Sequence, residues 1–108
     1  MKFGQIILIP FPFAELTHKK VRPAVVITET ADKYKDLVIS AISSVVPHKL
    51  SKREILINAT DTNNLRVNSI IKSDRLLTVK KEDVIATLGT LSEKEIKAFK
   101  TVLTEMIG

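Results

Sequence analysis

The sequence predicts a mainly β protein in which a small curled sheet or barrel is closed by one C-terminal helix. Short β-branched and apolar runs, separated by polar or proline-containing stretches, fill most of the chain. Apolar residues at helical spacing occur only near the end. Strands and helices therefore do not alternate as in a parallel βαβ sheet, and the length of 108 residues fits one domain spanning 1–108.

Six stretches have the composition of strands. They are residues 5–9, 21–28, 37–44, 54–57, 69–79 and 84–91. Pro10 and Pro12 cannot donate to a β-ladder, so the first strand ends there or continues as an edge. The charged residues 80–83 predict a single helical turn, and Gly89 is a candidate β-bulge in the last strand.

The C-terminal helix is the clearest element of the sequence. Ser92 and Glu95 form a capping-box pattern, with Ser92 as the N-cap and Glu95 at the third helical position. Apolar residues then follow at helical spacing: Ile96, Phe99, Val102, Leu103, Met106 and Ile107. One face of the helix is therefore expected to be buried against the sheet.

The charge is unevenly distributed along the chain. The formal net charge is +5, and all of the excess lies in residues 1–53, where two basic runs occupy residues 18–22 and 48–53. Such a distribution suits a polyanion such as nucleic acid, or an acidic protein segment, although an ordinary solvated surface has the same charge signature. The absence of cysteine and the short apolar stretch 6–13, which cannot span a bilayer, favour a cytoplasmic protein.

Several chemistries find no support in the residue pattern. His18 and His48 are not at metal-ligand spacing, and the acidic residues are scattered, so neither a zinc site nor a two-metal nuclease site is expected, and no cofactor is predicted. No Gly-x-Ser-x-Gly motif occurs. Positive charge and hydroxyl groups remain, and these suffice for RNA, whose own 2′-hydroxyl can attack the neighbouring phosphate.

Five stretches, in order along nearly the whole chain, resemble the MazF/PemK-type toxins. They are the opening strand 4–11, the Arg-Pro strand 21–26, the Ser-Ala-Ile-Ser-Ser strand 40–44, the strand 69–79, and residues 88–92 leading into the helix. The resemblance implies an SH3-like barrel of the MazF/PemK/CcdB type and a homodimer. It also implies metal-independent cleavage of single-stranded RNA or mRNA at short sequences. An antitoxin with an acidic, flexible segment is the implied partner, and operator DNA would be contacted through that antitoxin.

The resemblance also assigns roles to individual residues. Arg22 matches the catalytic arginine of the family, whose guanidinium forms bidentate contacts with phosphate oxygens. Ser43 stands where the family has threonine and keeps the hydroxyl. Lys72 and Asp74 match an Arg-x-Asp pair near the scissile bond, with Lys72 binding phosphate and Asp74 a candidate base. Because they are two residues apart in a strand, they are expected to share a face.

Further residues are candidates for RNA binding: His18, Lys19, Lys20, Ser44, Lys49, Lys52 and Arg53. Ser44 lies on the opposite strand face from Ser43 by alternation, and a loop histidine such as His18 is more often simply exposed. Two other functions stay open at this point. One is a catalytically silent nucleic-acid-binding barrel, and the other is a peptide-binding SH3-like module, although the few aromatic residues disfavour a groove for proline-rich peptides.

Overall fold

The computed structural model describes residues 1–10 and 21–108, which form six strands, one 3₁₀ turn and one α-helix. The elements are β1 (Gln5–Pro10), β2 (Val21–Glu29), β3 (Leu37–Ser43), β4 (Glu54–Ile57), β5 (Ser69–Val79), the 3₁₀ turn (Lys81–Asp83), β6 (Ala86–Thr90) and α1 (Glu93–Ile107). The predicted mainly β fold with a C-terminal helix is confirmed. The last strand is shorter than predicted, and β5 spans the eleven predicted residues as one element.

The six strands form one antiparallel sheet in the order β4-β5-β3-β2-β1-β6. The sheet curls into an open half-barrel with β4 and β6 at its edges. The central strand β3 pairs with β2 on one side and with β5 on the other. Side chains from β2, β3 and β5 can therefore meet across three adjacent strands, about 4.8 Å apart from one strand to the next.

Two hydrophobic cores lie on opposite faces of the sheet because the strand side chains alternate. The first core contains residues from the strands, the loop before β5 and the helix: Ile6, Val25, Ile42, Ile57, Leu65, Ile71, Leu91 and Phe99. The second core lies on the other face: Ile7, Ile9, Ala24, Val26, Leu37 and Ile39. Both faces of the sheet therefore carry buried apolar side chains.

Helix α1 closes the first core. Its capping box is formed as predicted, since the Glu95 N–H donates to Ser92 Oγ at 3.2 Å and the Ser92 N–H donates to Glu95 Oε1 at 2.9 Å. Phe99 is fully buried and its ring stacks on Phe3 with a centroid distance of 5.4 Å. Neither this helix nor any other helical segment in residues 1–10 and 21–108 is long and apolar enough to cross a membrane.

The predicted irregularity at Gly89 is also present. The register between β1 and β6 shifts by one residue beside Gly89, so that Leu88 is the extra residue of a bulge. A side chain at Gly89 would collide with the carbonyl oxygen of Thr62, because the loop before β5 passes directly over the bulge. Glycine is required here by close backbone approach.

A larger bulge interrupts β5. Ser40 pairs with Leu76, but the next residue, Ala41, pairs with Lys72, so residues 73–75 have no partner on β3. Because the insertion is three residues long, an odd number, it inverts the alternation of the strand. Ile71 therefore packs in the first core whereas Leu77 packs against the second, although both positions are odd-numbered.

Candidate active site

A pocket of about 340 Å³ opens where β2, β3 and β5 lie side by side. Arg22 of β2, Ser43 of β3 and Lys72 of β5 all line it. The sequence-based candidates Arg22, Ser43 and Lys72 are thus brought together from positions up to fifty residues apart. We call this the cation pocket; its lining is completed by Ala41, Ile42, Arg75, Leu76 and Leu77.

The strand register explains why these residues meet. Ala24 pairs with Ala41, and continuing that antiparallel register by two residues places Arg22 opposite Ser43. On the other side of β3, Ala41 pairs with Lys72. Arg22 and Lys72 therefore flank the same stretch of β3 on strands roughly 10 Å apart, a separation that two long cationic side chains can close onto one phosphate group.

Asp74 is placed differently from Lys72. It lies in the middle of the β5 bulge, its side chain is exposed, and it does not line the cation pocket. The expectation that Lys72 and Asp74 share a face was based on regular strand alternation, and the bulge interrupts that alternation between Lys72 and Leu76. Asp74 is nevertheless close in sequence to two pocket residues: it directly precedes Arg75, and one residue separates it from Lys72.

Arg75 is a pocket residue that the sequence analysis missed. It is the third residue of the bulge and it lines the cation pocket with Arg22 and Lys72. Strand alternation applied to residues 69–79 gave no reason to select it. The available signal was the unusual Lys-Ser-Asp-Arg run itself, since four charged or polar residues in succession do not fit the alternation of a regular half-buried strand.

Two hydrogen bonds fix the bulge. The buried Ser40 hydroxyl donates to the carbonyl oxygen of Lys72 at 2.7 Å, at the point where the register breaks. The Ser73 N–H donates to the carbonyl oxygen of Arg53 at 3.0 Å. The Ser73 side chain is itself buried, and its hydroxyl has no hydrogen-bond partner among residues 1–10 and 21–108.

The described lining of the pocket is rich in cationic side chains. Three cationic side chains line it, and none of its lining residues in the described part of the chain is Asp or Glu. Ser43 is half-buried, and its hydroxyl accepts a hydrogen bond from the Val45 N–H at 3.2 Å, which fixes the oxygen at the pocket wall. A guanidinium, an ammonium and a hydroxyl are the groups that bind phosphate oxygens.

A larger groove of about 780 Å³ adjoins the cation pocket, and Arg22 and Ile42 line both. Most of its wall is apolar: Leu8, Val21, Pro23, Ile42, Val45, Leu65, Val67 and Leu88. Ser44 lines this groove and Ser43 does not, as expected from their opposite strand faces. Arg66 and Asn64 add polar groups, and Asn64 is held by donating its side-chain amide to the carbonyl oxygen of Leu88.

The remaining candidates lie elsewhere. Lys49 and Lys52 are exposed on the loop before β4 and line neither cavity, and Arg53 is half-buried beside the bulge. His18, Lys19 and Lys20 lie outside the residues that the structure describes. In residues 1–10 and 21–108, no three His, Cys, Asp or Glu side chains lie together as a metal site would need.

The fold has close counterparts among solved structures. An endoribonuclease in complex with its cognate antitoxin, from Mycobacterial species, superimposes with a TM-score of 0.76 at 14% identity, covering 100% of this chain and 95% of that one. The Mycobacterium tuberculosis toxin MazF-mt6 gives 0.73 at 17% identity, with 95% of both chains covered. A further endoribonuclease from Mycobacterial species gives 0.72 at 14% identity, covering 100% and 91%.

At these identities the superpositions establish the fold alone. No curated protein sequence matches the chain significantly. A family model does match it, over residues 2–107, and that model describes the PemK-like, MazF-like toxins of type II toxin-antitoxin systems. The match covers the whole of the sheet, the cation pocket and the helix, so this chain belongs to the PemK-like, MazF-like toxin family.

Proposed function

We propose that this chain is the endoribonuclease toxin of a type II toxin-antitoxin system, a single domain that cleaves single-stranded RNA at short sequences in the cytoplasm without a metal ion. The observation that carries the proposal is the convergence of Arg22, Ser43 and Lys72 on one pocket. Membership of the toxin family and the likeness to solved endoribonucleases support it.

The proposed reaction uses the substrate's own nucleophile. The 2′-hydroxyl oxygen bonds to the adjacent phosphorus while the bond from phosphorus to the 5′-oxygen breaks, which leaves a 2′,3′-cyclic phosphate and a 5′-hydroxyl. The 2′-hydroxyl proton passes to a base, and the 5′-oxygen takes up a proton. The extra negative charge on the phosphorus oxygens is stabilised by fixed cations, so the step needs no metal ion.

Each pocket residue has a role in this scheme. Arg22 and Lys72 bind the phosphate oxygens from opposite sides of β3, and Ser43 donates a hydrogen bond to the same group. Asp74 is the candidate base: Lys72 and Arg75, two positions before it and one after it, line the pocket, its carboxylate is exposed, and no other acid lies on β5. The adjoining apolar groove would hold the neighbouring nucleotides, and Ser44 and Arg66 would contact them.

The same pocket suggests how the toxin is inhibited. An acidic, flexible antitoxin segment would place carboxylates on the cations that bind RNA phosphates, so that antitoxin and substrate compete. One solved neighbour was determined as an endoribonuclease in complex with its cognate antitoxin. Lys49, Lys52 and Arg53, with His18, Lys19 and Lys20, would add contacts to either polyanion, and the functional unit is proposed to be a homodimer. Operator DNA would be reached through the antitoxin.

A silent RNA-binding protein is the second candidate, and one observation favours it. Among the described residues that line the cation pocket there is no histidine or carboxylate to accept a proton. In that case the pocket would bind RNA with strong salt dependence and leave it intact.

The deciding experiment is cleavage of a long single-stranded RNA of varied sequence in excess EDTA, with Arg22→Ala beside the wild type. Lys94→Ala, which removes an exposed positive charge from α1, is the matched control. We expect discrete cuts with 2′,3′-cyclic phosphate ends, lost in Arg22→Ala and kept in Lys94→Ala. A 2′-deoxy nucleotide placed at a mapped cut should block that cut alone.

Intact RNA that is nevertheless bound would establish the silent binder. Cleavage that EDTA abolishes, or that a folded Arg22→Ala variant retains, would contradict the proposed mechanism.

A further inference from the structure

We propose that Arg75 is a phosphate-binding catalytic residue of this site and that Ser40 positions it. This inference rests on the proposed function, since it names a further residue that acts on the same phosphate. Neither the family resemblance nor strand periodicity selected Arg75. It is the structure of the β5 bulge that places Arg75 in the cation pocket with Arg22 and Lys72.

The geometry of the bulge is the first step. Lys72 and Leu76 pair with successive residues of β3, so the three residues between them must leave the ladder. Ser73 turns into the protein, where it is fully buried, and Asp74 turns out to solvent. Arg75 is the last residue of the bulge, and pairing with β3 resumes at Leu76. Arg75, Leu76 and Leu77 all line the pocket.

The chemistry of the two cations on β5 is the second step. Lys72 carries a point charge on a flexible stem, whereas a guanidinium has a planar fork that can bind two phosphate oxygens at once. Arg75 therefore supplies on β5 the bidentate contact that Lys72 cannot make. Together with Arg22 on β2, it would surround the phosphate with guanidinium groups from both sides of β3.

Ser40 is the positioning residue in this arrangement. It is completely buried, it is the last β3 residue before the register breaks, and its hydroxyl donates to the Lys72 carbonyl oxygen at 2.7 Å. That carbonyl belongs to the residue at which the bulge begins. Without the hydroxyl, the carbonyl oxygen would lose this partner and the start of the bulge would lose an anchor.

The test compares Arg75→Ala, Arg75→Lys and Lys94→Ala on a short RNA that contains one mapped cleavage site. Because a preorganised charged donor contributes about 100-fold or more to a rate, Arg75→Ala should lower kcat by about that factor. Arg75→Lys should recover only part of the loss, and Lys94→Ala should stay within twofold of wild type. Arg75 is exposed, so the thermal midpoint should be unchanged. A folded Arg75→Ala with kcat within threefold of wild type would overturn the proposal.

Failure of the proposed function would be recognised separately. If the wild type does not cut, the same variants are assayed for binding of a fully 2′-O-methylated RNA, which cannot be cleaved. At least a tenfold loss of affinity in Arg75→Ala, with none in Lys94→Ala, would support a phosphate contact. Equal affinities would refute it, whatever the activity of the protein.

Ser73, a second buried serine at the bulge, provides a matched control for Ser40. The Ser40 hydroxyl is hydrogen-bonded to Lys72, whereas the Ser73 hydroxyl has no partner among the described residues. We expect Ser40→Ala to lower kcat at least tenfold and Ser73→Ala to leave it unchanged. The loss from Ser40→Ala should largely disappear in an Arg75→Ala background, because residues that act together are not additive. Equal losses in both backgrounds would show that Ser40 does not act through Arg75, and would overturn its role as the positioning residue for Arg75.

Discussion

The two ends of strand β2 use charge in opposite ways. At the far end, Glu29 Oε1 lies 2.6 Å from the N-terminal nitrogen of Met1 and 3.0 Å from Lys81 Nζ. The negative charge of Glu29 is therefore paired within the described chain. At the near end, Arg22 enters a pocket that it shares with Lys72 and Arg75 and that no described carboxylate lines. Glu29, between two ammonium groups, and Arg22, in a pocket lined by three cationic side chains, are thus seven positions apart on one strand.

The difference separates charges that stabilise the fold from charges that indicate a ligand site. In the Glu29 cluster, opposite charges from different parts of the fold are paired. The hydrogen bond from the N-terminal ammonium, followed by that from Lys81, lowers the pKa of Glu29 to about 2. Like charges that gather in one pocket repel each other and contribute nothing to stability by themselves. Such a gathering is informative about a ligand, here an anion with several oxygens.

The largest effect is expected from reversing the charge at one end of β2. Arg22→Glu should reduce RNA cleavage by at least about 1,000-fold, because it removes a phosphate contact and adds repulsion within the pocket. Glu29→Lys makes the opposite change at the other end and should leave cleavage within a few-fold of wild type. Cleavage assays with circular dichroism of both variants check this. Equal losses in the two folded variants would mean that general electrostatics, and not the pocket, governs activity.

A smaller effect is expected at the one acid of the bulge. Asp74→Asn keeps the size and exposure of the side chain and removes its basicity, so kcat should fall by about 100-fold with KM little changed. Glu82→Gln, at an exposed acid of the 3₁₀ turn, is the matched control and should have wild-type kcat. If Asp74→Asn retains full kcat, the proton acceptor is another group.

The salt dependence of RNA binding should also differ between variants of Arg22 and Glu29. The logarithm of RNA affinity falls with the logarithm of salt concentration, by roughly 0.7 for each phosphate neutralised on a single strand. Arg22→Gln should therefore reduce the slope by about 0.7, whereas Glu29→Gln should leave it unchanged. Fluorescence anisotropy with 2′-O-methylated RNA at several salt concentrations measures both. An unaltered slope in Arg22→Gln would place the phosphate contacts elsewhere on the surface.

The smallest effect concerns stability at low pH. Because the folded-state pKa of Glu29 is lowered from 4.5 to about 2, its contribution to stability is complete above about pH 4.5 and is lost as the pH falls through about 2. The wild type should therefore lose thermal stability more steeply than Glu29→Gln between these pH values. The difference should be small, since the cluster is partly exposed. If the thermal midpoints of the two proteins fall equally with pH, the ion pairs of Glu29 do not contribute to stability.

The sequence determined most of the fold because its signals are local. Strand composition and the Ser92–Glu95 capping box each act within a few residues, and both are realised in the structure. The bulge at Gly89 was also visible, since glycine marks positions of close backbone approach. For the site, Arg22, Ser43 and Lys72 were selected by the resemblance to the toxin family, and their cationic and hydroxyl groups suit phosphate binding.

The face that each residue of β5 presents depends on long-range strand pairing and could not be inferred from local sequence. A three-residue bulge depends on pairing with β3 and on the Ser40–Lys72 hydrogen bond, which joins positions 32 residues apart. Periodicity cannot register such an insertion, because a shift by an odd number reverses every later side chain. For that reason the sequence pointed to Asp74 beside Lys72, whereas long-range strand pairing turned Asp74 outward and brought Arg75 into the pocket.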